Sequence, residues 1–62
     1  MKMYVYETES NRVVAVVTGE TKEECERKAI DANYDDDQFC WTYFPDFEFN
    51  DGLIDNPDAV EL

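Results

Sequence analysis

Carboxylates are the most abundant reactive groups in this chain of 62 residues, which contains 16 Asp and Glu but no histidine. General acid–base catalysis near neutral pH uses histidine, or a carboxyl group whose pKa has been raised by burial. These acids lie in turn-like sequence that faces solvent, and the one serine, Ser10, lies in a predicted turn with no base beside it. Gly19 and Gly52 stand alone and cannot form a phosphate-binding loop. We therefore expect no enzymatic activity.

Metal binding is the second chemistry that clustered carboxylates suggest. The acids of Asp35–Asp37 and of 51–55 do not follow the twelve-residue calcium loop, which ends in a bidentate Glu. Cys25 and Cys40 are too far apart for a C-x-x-C pair, and no histidine is present to complete a zinc site. We expect neither a metal nor another cofactor.

The two cysteines are expected to be structural. The chain opens on strand-like sequence rather than on the apolar stretch of a signal peptide, which predicts a cytoplasmic location. Thiols stay reduced in that compartment. Cys25 and Cys40 are therefore predicted as buried free thiols, with a disulfide between them as the alternative.

The net charge of -11 and the isoelectric point near 4.1 exclude two classes of partner. A polyanion repels the phosphate backbone of DNA and RNA, so direct nucleic-acid binding is not expected. Anionic membranes are disfavoured for the same reason. No apolar run approaches the roughly 20 residues that a membrane span requires. The partner is expected to be a protein.

Charge is distributed unevenly along the chain. Residues 1–30 hold six acids and all five bases, whereas residues 31–62 hold ten acids and no base. Asp31 and Asp35 fall near the predicted helix C-terminus, where the helix dipole disfavours negative charge. Selection for stability alone gives no reason for this arrangement, and such local conflicts tend to mark functional sites. The alternative is that the charge only keeps an aromatic-rich domain in solution.

Aromatic residues are interleaved with acids in the second half, and together they predict a binding face. On an extended strand Asp46 and Glu48 would lie roughly 6.7 Å apart, which is broadly the spacing of phosphates along one nucleic-acid strand. Charge would steer a basic partner to this face, and the aromatic side chains would anchor it. The candidate partner-binding residues are Asp31, Asp35, Asp36, Asp37, Trp41, Tyr43, Asp46, Phe47, Glu48, Phe49 and Asp51.

A β-hairpin is predicted at the start of the chain. Residues 4–8 and 12–18 are rich in β-formers, and the second run is apolar at almost every position. The residues between them have turn chemistry, and Asn11 can adopt the positive φ that a short hairpin loop needs.

A helix and a third strand follow the hairpin. Thr21 and Glu24 have the spacing of a capping box, which predicts a helix over 22–33. Residues 38–44 predict the third strand, with Phe39, Trp41 and Tyr43 on one face and Cys40, Thr42 and Phe44 on the other. A short fourth strand is predicted over 47–49.

These elements predict one small α+β domain over residues 1–62, of order ββαβ(β). The third strand is expected beside the first, which gives a three-stranded antiparallel sheet of order 2-1-3 with the helix on one face. The other face would be uncovered and expose large rings. Residues 55–62 are predicted to be a frayed tail. The expected core is Val5, Val14, Val16, Cys25, Ala29, Ile30, Cys40 and Trp41.

The segments Met3–Glu9, Val13–Val17, Glu20–Glu26 and Trp41–Pro45 together resemble small acidic proteins encoded by phages and prophages. The resemblance covers most of the chain, and proteins of this kind include anti-CRISPR proteins and other DNA-mimicking inhibitors of bacterial defence. It implies the cytoplasm of a bacterial host as the location. It supplies no catalytic or ligand-binding residue.

Together these observations predict a non-enzymatic inhibitor. It would bind the basic nucleic-acid-binding surface of a host protein, such as a CRISPR effector, and compete there with DNA or RNA. The alternative is a small structural or regulatory domain that forms a homodimer through an exposed aromatic sheet face, with its acidity serving solubility. Rising salt weakens docking of a polyanion but not an apolar dimer, so it distinguishes the two.

Overall fold

One α-helix lies across one face of a four-stranded sheet. The structure is a computed structural model, and it describes residues 1–45, 47 and 52–62. The predicted α+β class with a single helix is confirmed. In chain order the elements are β1 (Lys2–Glu7), β2 (Val13–Thr18), α1 (Lys22–Asp31), β3 (Phe39–Thr42) and β4 (Val60–Glu61).

The sheet is mixed, and this corrects the predicted three-stranded antiparallel sheet. Its strand order is β3-β1-β2-β4. β1 runs antiparallel to both β2 and β3, whereas β4 runs parallel to β2. Because β2 and β3 are each antiparallel to β1, they are parallel to each other. Helix α1 is the crossover that joins them over one face of the sheet.

The end of the chain forms the strand that the sequence does not predict. The Leu62 N–H donates to the Val16 carbonyl at 2.9 Å, and Arg12 forms a parallel bridge with Ile54. The expectation of a frayed tail over 55–62 is therefore wrong for the last residues, because unpaired groups on the edge of β2 bind them. The strand predicted over 47–49 falls largely outside the described residues.

The core lies between α1 and the sheet, and it uses one face of each strand. Val5 pairs with Ala15 on one side and with Trp41 on the other, so these three share the face under the helix. Val14 and Val16 are half-buried on the opposite face, and the predicted core is wrong for them. A strand that carries apolar residues on both of its faces does not specify which face is buried. The fully buried residues are Met3, Val5, Val13, Ala15, Val17, Cys25 and Ala29.

Local sequence sets both ends of α1. The Thr21 hydroxyl accepts from the Glu24 N–H at 3.2 Å, as the capping pattern predicts. At the other end Asn33 has a φ of 66°, and its N–H and that of Tyr34 donate back to Ile30 and Ala29. This left-handed cap ends the helix at Asp31, two residues earlier than predicted. Ile30, which we place in the core on sequence grounds, is 47% exposed.

The sheet face opposite α1 is less open than the sequence suggests. Tyr4, Tyr6 and Val16 are each half-buried on it. The Phe47 ring packs edge-on against Tyr4, with ring centroids 5.8 Å apart.

Among the described residues no helix is long and apolar enough to cross a membrane.

The two cysteines are free thiols on opposite faces of the sheet. Cys25 is a buried residue of α1, and its thiol lies 3.9 Å from the Val17 carbonyl oxygen of the sheet. Cys40 pairs with Tyr6 in the sheet, which puts it on the face away from the helix. It is half-buried there, and partial burial, with the neighbouring Cys40 thiol, raises the pKa of Tyr6. The sheet therefore separates the two thiols and excludes the alternative of a disulfide between them.

Candidate functional site: an acidic cleft between two loops

Two loops meet at one end of the sheet, although they are far apart in sequence. One is the connection between β1 and β2, residues 8–12, and the other joins α1 to β3, residues 32–38. The Thr8 N–H and hydroxyl both donate to the Gln38 carbonyl, at 3.0 and 3.3 Å. This pairing continues the β1–β3 ladder past the strands and holds the loops side by side.

The first loop is held by bonds within the turn. The Asn11 N–H donates to the Glu7 carbonyl at 2.8 Å, and Asn11 has the positive φ, 57°, that the sequence predicts. The Ser10 hydroxyl accepts from the Arg12 N–H at 3.2 Å and donates to a Glu7 carboxylate oxygen at 3.4 Å. Ser10 is thus a structural residue of the turn.

The second loop is held by the backbone of its own aspartates. The Asp36 carboxylate accepts from the Asp37 N–H at 2.6 Å, and the Asp36 carbonyl accepts from the Phe39 N–H at 3.1 Å. Phe39 packs edge-on against Tyr34, with ring centroids 5.1 Å apart, and both rings pack against the core. The loop therefore has a defined path from the helix to β3.

The two loops enclose a cleft of about 320 Å³, which we call the acidic cleft. Three of its five lining residues are acids, and among the described residues no Lys or Arg lines it. Asp35 and Asp36 are exposed on the loop immediately before it. Its lining residues are Glu7, Thr8, Glu9, Asp37 and Gln38.

The acidic cleft has the chemistry to bind a cation on a side chain. Carboxylates accept hydrogen bonds from Lys and Arg, and a cleft focuses their field on an approaching charge. Within the part of the chain that the structure describes, no group of three His, Cys, Asp or Glu residues is arranged to hold a metal ion. Four of the lining residues, Thr8, Glu9, Asp37 and Gln38, are exposed to solvent.

The predicted aromatic anchors Trp41 and Tyr43 lie on the helix side of the sheet. Trp41 is half-buried, and its indole N–H donates to the Tyr34 carbonyl at 2.9 Å. The Tyr43 hydroxyl donates to a Glu26 carboxylate oxygen at 3.0 Å, and the Lys22 ammonium lies 5.3 Å from the centre of the Tyr43 ring. Both rings thus already have partners within the fold, and their part in binding stays a prediction.

Burial of the Tyr43 hydroxyl is the main cause of its pKa shift, and the hydrogen bond to Glu26 is the second. Together they raise the pKa of Tyr43 to about 12. Both favour the neutral phenol, because a phenolate would lie beside the Glu26 carboxylate. This contact ties the end of β3 to the helix.

The other predicted site residues divide into two groups. Asp31 and Asp35–Asp37 are exposed at the cleft end of the molecule, and Phe47 is 41% exposed where it packs on Tyr4. The second group lies outside the described residues and consists of Asp46, Glu48, Phe49 and Asp51.

Sequence reasoning misses the cleft acids Glu7 and Glu9 and the exposed Phe44. Glu7 and Glu9 belong to the half of the chain whose charges nearly balance, yet they line the cleft beside Asp37. The sequence signal that could have found them is the predicted strand order. A third strand that pairs antiparallel with β1 places the loop that precedes this strand beside the turn that follows β1. Phe44 is 89% exposed two residues after the end of β3, although strand alternation places it on a sheet face.

Comparisons of the chain with protein-family models, with curated proteins and with solved structures found no match.

Proposed function

We propose that this protein is a non-enzymatic inhibitor that occupies the basic nucleic-acid-binding surface of another protein and competes there with DNA or RNA. The acidic cleft is its docking site. Asp35–Asp37 and the cleft acids Glu7 and Glu9 supply the negative charge that phosphates would otherwise supply.

The observation that carries the proposal is the convergence of acids from two distant loops. Residues 7–9 and Asp37 are separated by about half of the chain, yet they line one cleft with no base among its lining residues. We expect the carboxylates there to repel one another, which would cost stability unless a cation is bound. A basic partner relieves this repulsion, and its charge also accelerates the encounter.

The kind of partner follows from charge and from the resemblance to small acidic phage proteins. A groove that binds nucleic acid presents Lys and Arg at phosphate positions, and a folded polyanion can bind the same groups. Under this proposal the targets are nucleic-acid-binding proteins of a bacterial host, and CRISPR effectors are the first to test.

The alternative, a homodimer formed through the sheet face opposite α1, has less support. Tyr4, Tyr6 and Val16 on that face are half-buried, and Phe47 packs on Tyr4. In addition, two copies that each carry a charge of -11 repel each other. The favoured partner is therefore a basic protein.

The test compares capture by the wild-type protein with capture by two matched variants. The cleft variant is Glu7→Gln, Glu9→Gln, Asp37→Asn. The control variant, Glu20→Gln, Glu23→Gln, Glu61→Gln, removes the same number of charges from exposed acids away from the cleft. Each protein is immobilised and incubated with a bacterial lysate, and the captured protein is then challenged with excess DNA or RNA.

We expect the wild type and the control variant to capture the same nucleic-acid-binding protein, and nucleic acid to release it. The cleft variant should capture little of it. Retention of the captured protein in excess DNA and RNA would contradict competition. Equal capture by the cleft variant would show that the cleft is not the docking site.

A further inference from the structure

The outer edge of β3 has no neighbouring strand within the described part of the chain, and of its outward groups the Phe39 N–H is bonded to the Asp36 carbonyl. β3 has β1 as its one neighbour in the sheet. Unpaired edges present rows of N–H and C=O groups, and another extended chain can bind them. The edge lies next to the acidic cleft, because Asp37 and Gln38 line the cleft and lead directly into β3.

The alternation of hydrogen bonds along the β1–β3 ladder identifies which backbone groups of β3 point away from β1. The Thr8 N–H donates to the Gln38 carbonyl, so these two residues form a hydrogen-bonded pair. Two steps along the register, Tyr6 and Cys40 form the next such pair. Trp41 lies between hydrogen-bonded positions, so its N–H and carbonyl face away from β1.

Both ends of this edge suit a particular kind of chain. At its start lie the exposed acids Asp35–Asp37, and at its end lies Phe44, which is 89% exposed. No Lys or Arg follows Lys28 in the sequence, so no base of this half neutralises the edge. The edge is thus acidic at one end and apolar at the other.

Charge decides between the two chains that can pair with this edge. A second copy would bring another -11 against the first, together with a second set of the same aspartates. A basic chain is attracted by the same field. Like-charge repulsion therefore protects the edge from self-association while it admits a basic strand.

We propose that an extended, Lys- or Arg-bearing segment of the partner adds a strand to β3, with its cations at the acidic cleft. The segment forms hydrogen bonds to the Trp41 N–H and carbonyl, and an apolar side chain contacts Phe44. This inference rests on the proposed function and specifies how the basic partner docks.

The test uses two blocked seven-residue peptides of equal charge. In one Lys alternates with Val, and in the other Lys alternates with Pro, which has no N–H and cannot form a ladder. Chemical synthesis of the chain allows the Trp41 backbone amide to be methylated, which blocks only the outward edge. The matched control is methylation of the Lys22 amide, which begins α1 and has no partner within the helix.

We expect the Lys–Val peptide to bind the wild type about tenfold more tightly than the Lys–Pro peptide, since a ladder adds hydrogen bonds. Methylation at Trp41 should abolish that difference, and methylation at Lys22 should leave it. In the unmodified protein, amide hydrogen exchange at Trp41 should slow when the Lys–Val peptide binds. This last measurement holds even if the Trp41-methylated chain does not fold.

Equal binding of both peptides, with unchanged exchange at Trp41, overturns the strand-pairing inference while leaving the acidic docking site in place. If Glu7→Gln, Glu9→Gln, Asp37→Asn binds both peptides as tightly as the wild type, the proposed function itself fails. Sedimentation of the unmodified chain should show a monomer. A dimer that methylation at Trp41 dissociates would assign the edge to a second copy and overturn the inference.

Discussion

Charged groups at the two ends of the sheet have different partners. At the end where β1 begins, the Met1 ammonium donates to the Gly19 carbonyl at 2.9 Å, and the Lys28 ammonium donates to the Thr18 carbonyl at 2.7 Å. Lys28 also lies 3.9 Å from a Glu24 carboxylate oxygen. At the cleft end, Glu7, Glu9 and Asp37 surround a cleft that no described Lys or Arg lines.

The difference separates charges that hold the fold from charges that face outward. Cations at the first end bind carbonyls and a carboxylate of the same chain, so removing one leaves an acceptor unpaired. At the cleft end no Lys or Arg is among the lining residues beside Glu9 and Asp37, so we expect removal of one of these charges to leave the stability of the fold unchanged or slightly raised. Variants at the two ends should therefore change stability with opposite signs, and only the cleft end should control binding.

Reversing one charge in the cleft should have the largest effect. We expect Asp37→Lys to weaken binding of an oligolysine peptide roughly hundredfold at low salt, because like charges held together at an interface are strongly repulsive. Glu20→Lys makes the same charge change at the opposite end and should weaken binding far less. Titration followed by the fluorescence of the single tryptophan, Trp41, measures both. Equal losses would mean that only net charge matters.

Lys28 should be the clearest example of a charge that stabilises the fold. Lys28→Met keeps most of the side-chain stem but removes the bonds to Thr18 and Glu24, and we expect a loss of about 1 kcal/mol in the free energy of unfolding. Asp37→Asn, at the other end, should leave stability unchanged or raise it slightly. Urea denaturation of both variants provides the comparison, and destabilisation of the same size in both would remove the distinction between the ends.

The raised pKa of Tyr43 predicts how the stability of the fold changes at alkaline pH. Its raised pKa, about 12 compared with 10.0 for an unperturbed tyrosine, means that its stabilising effect is complete below pH 10 and is lost as the pH rises toward 12. Tyr43→Phe should lower stability by about 0.5–1 kcal/mol at neutral pH, where the bond to Glu26 is lost.

The variant should also lose less stability than the wild type between pH 10 and 12. Melting temperatures across this range, with phenol ionisation followed by absorbance, measure the effect. If the two proteins lose stability in parallel, Tyr43 is not the group responsible.

Salt should have the smallest effect on stability, and its sign is informative. Screening reduces self-repulsion in a chain of net charge -11, so added salt should stabilise the wild type by a few tenths of a kcal/mol. Glu7→Gln, Glu9→Gln, Asp37→Asn should show a smaller gain than Glu20→Gln, Glu23→Gln, Glu61→Gln, because its repulsion has already been relieved. Thermal unfolding at low and high salt tests this, and identical gains would argue against concentrated repulsion in the cleft.

Local sequence alone determined the elements that lie close together along the chain. Asn11 allows the hairpin turn, Thr21 caps the helix start, and alternation separates Trp41 from Cys40 in β3. Each depends on bonds between neighbours or on the fixed geometry of the backbone, so it follows from residue type and spacing. The uneven charge of the two halves is likewise visible in the sequence.

The tertiary structure decided what depends on distant contacts. β2 carries valines on both faces, so either face could be buried. The packing of α1 buries the face with Val13, Ala15 and Val17. The last residues formed β4 because the edge of β2 was unpaired. The acidic cleft required the β1–β3 ladder, which brings Thr8 against Gln38, 30 residues further along the chain. Periodicity and composition describe a segment and its near neighbours, whereas the pairing of distant segments depends on which surfaces the whole chain can bury together.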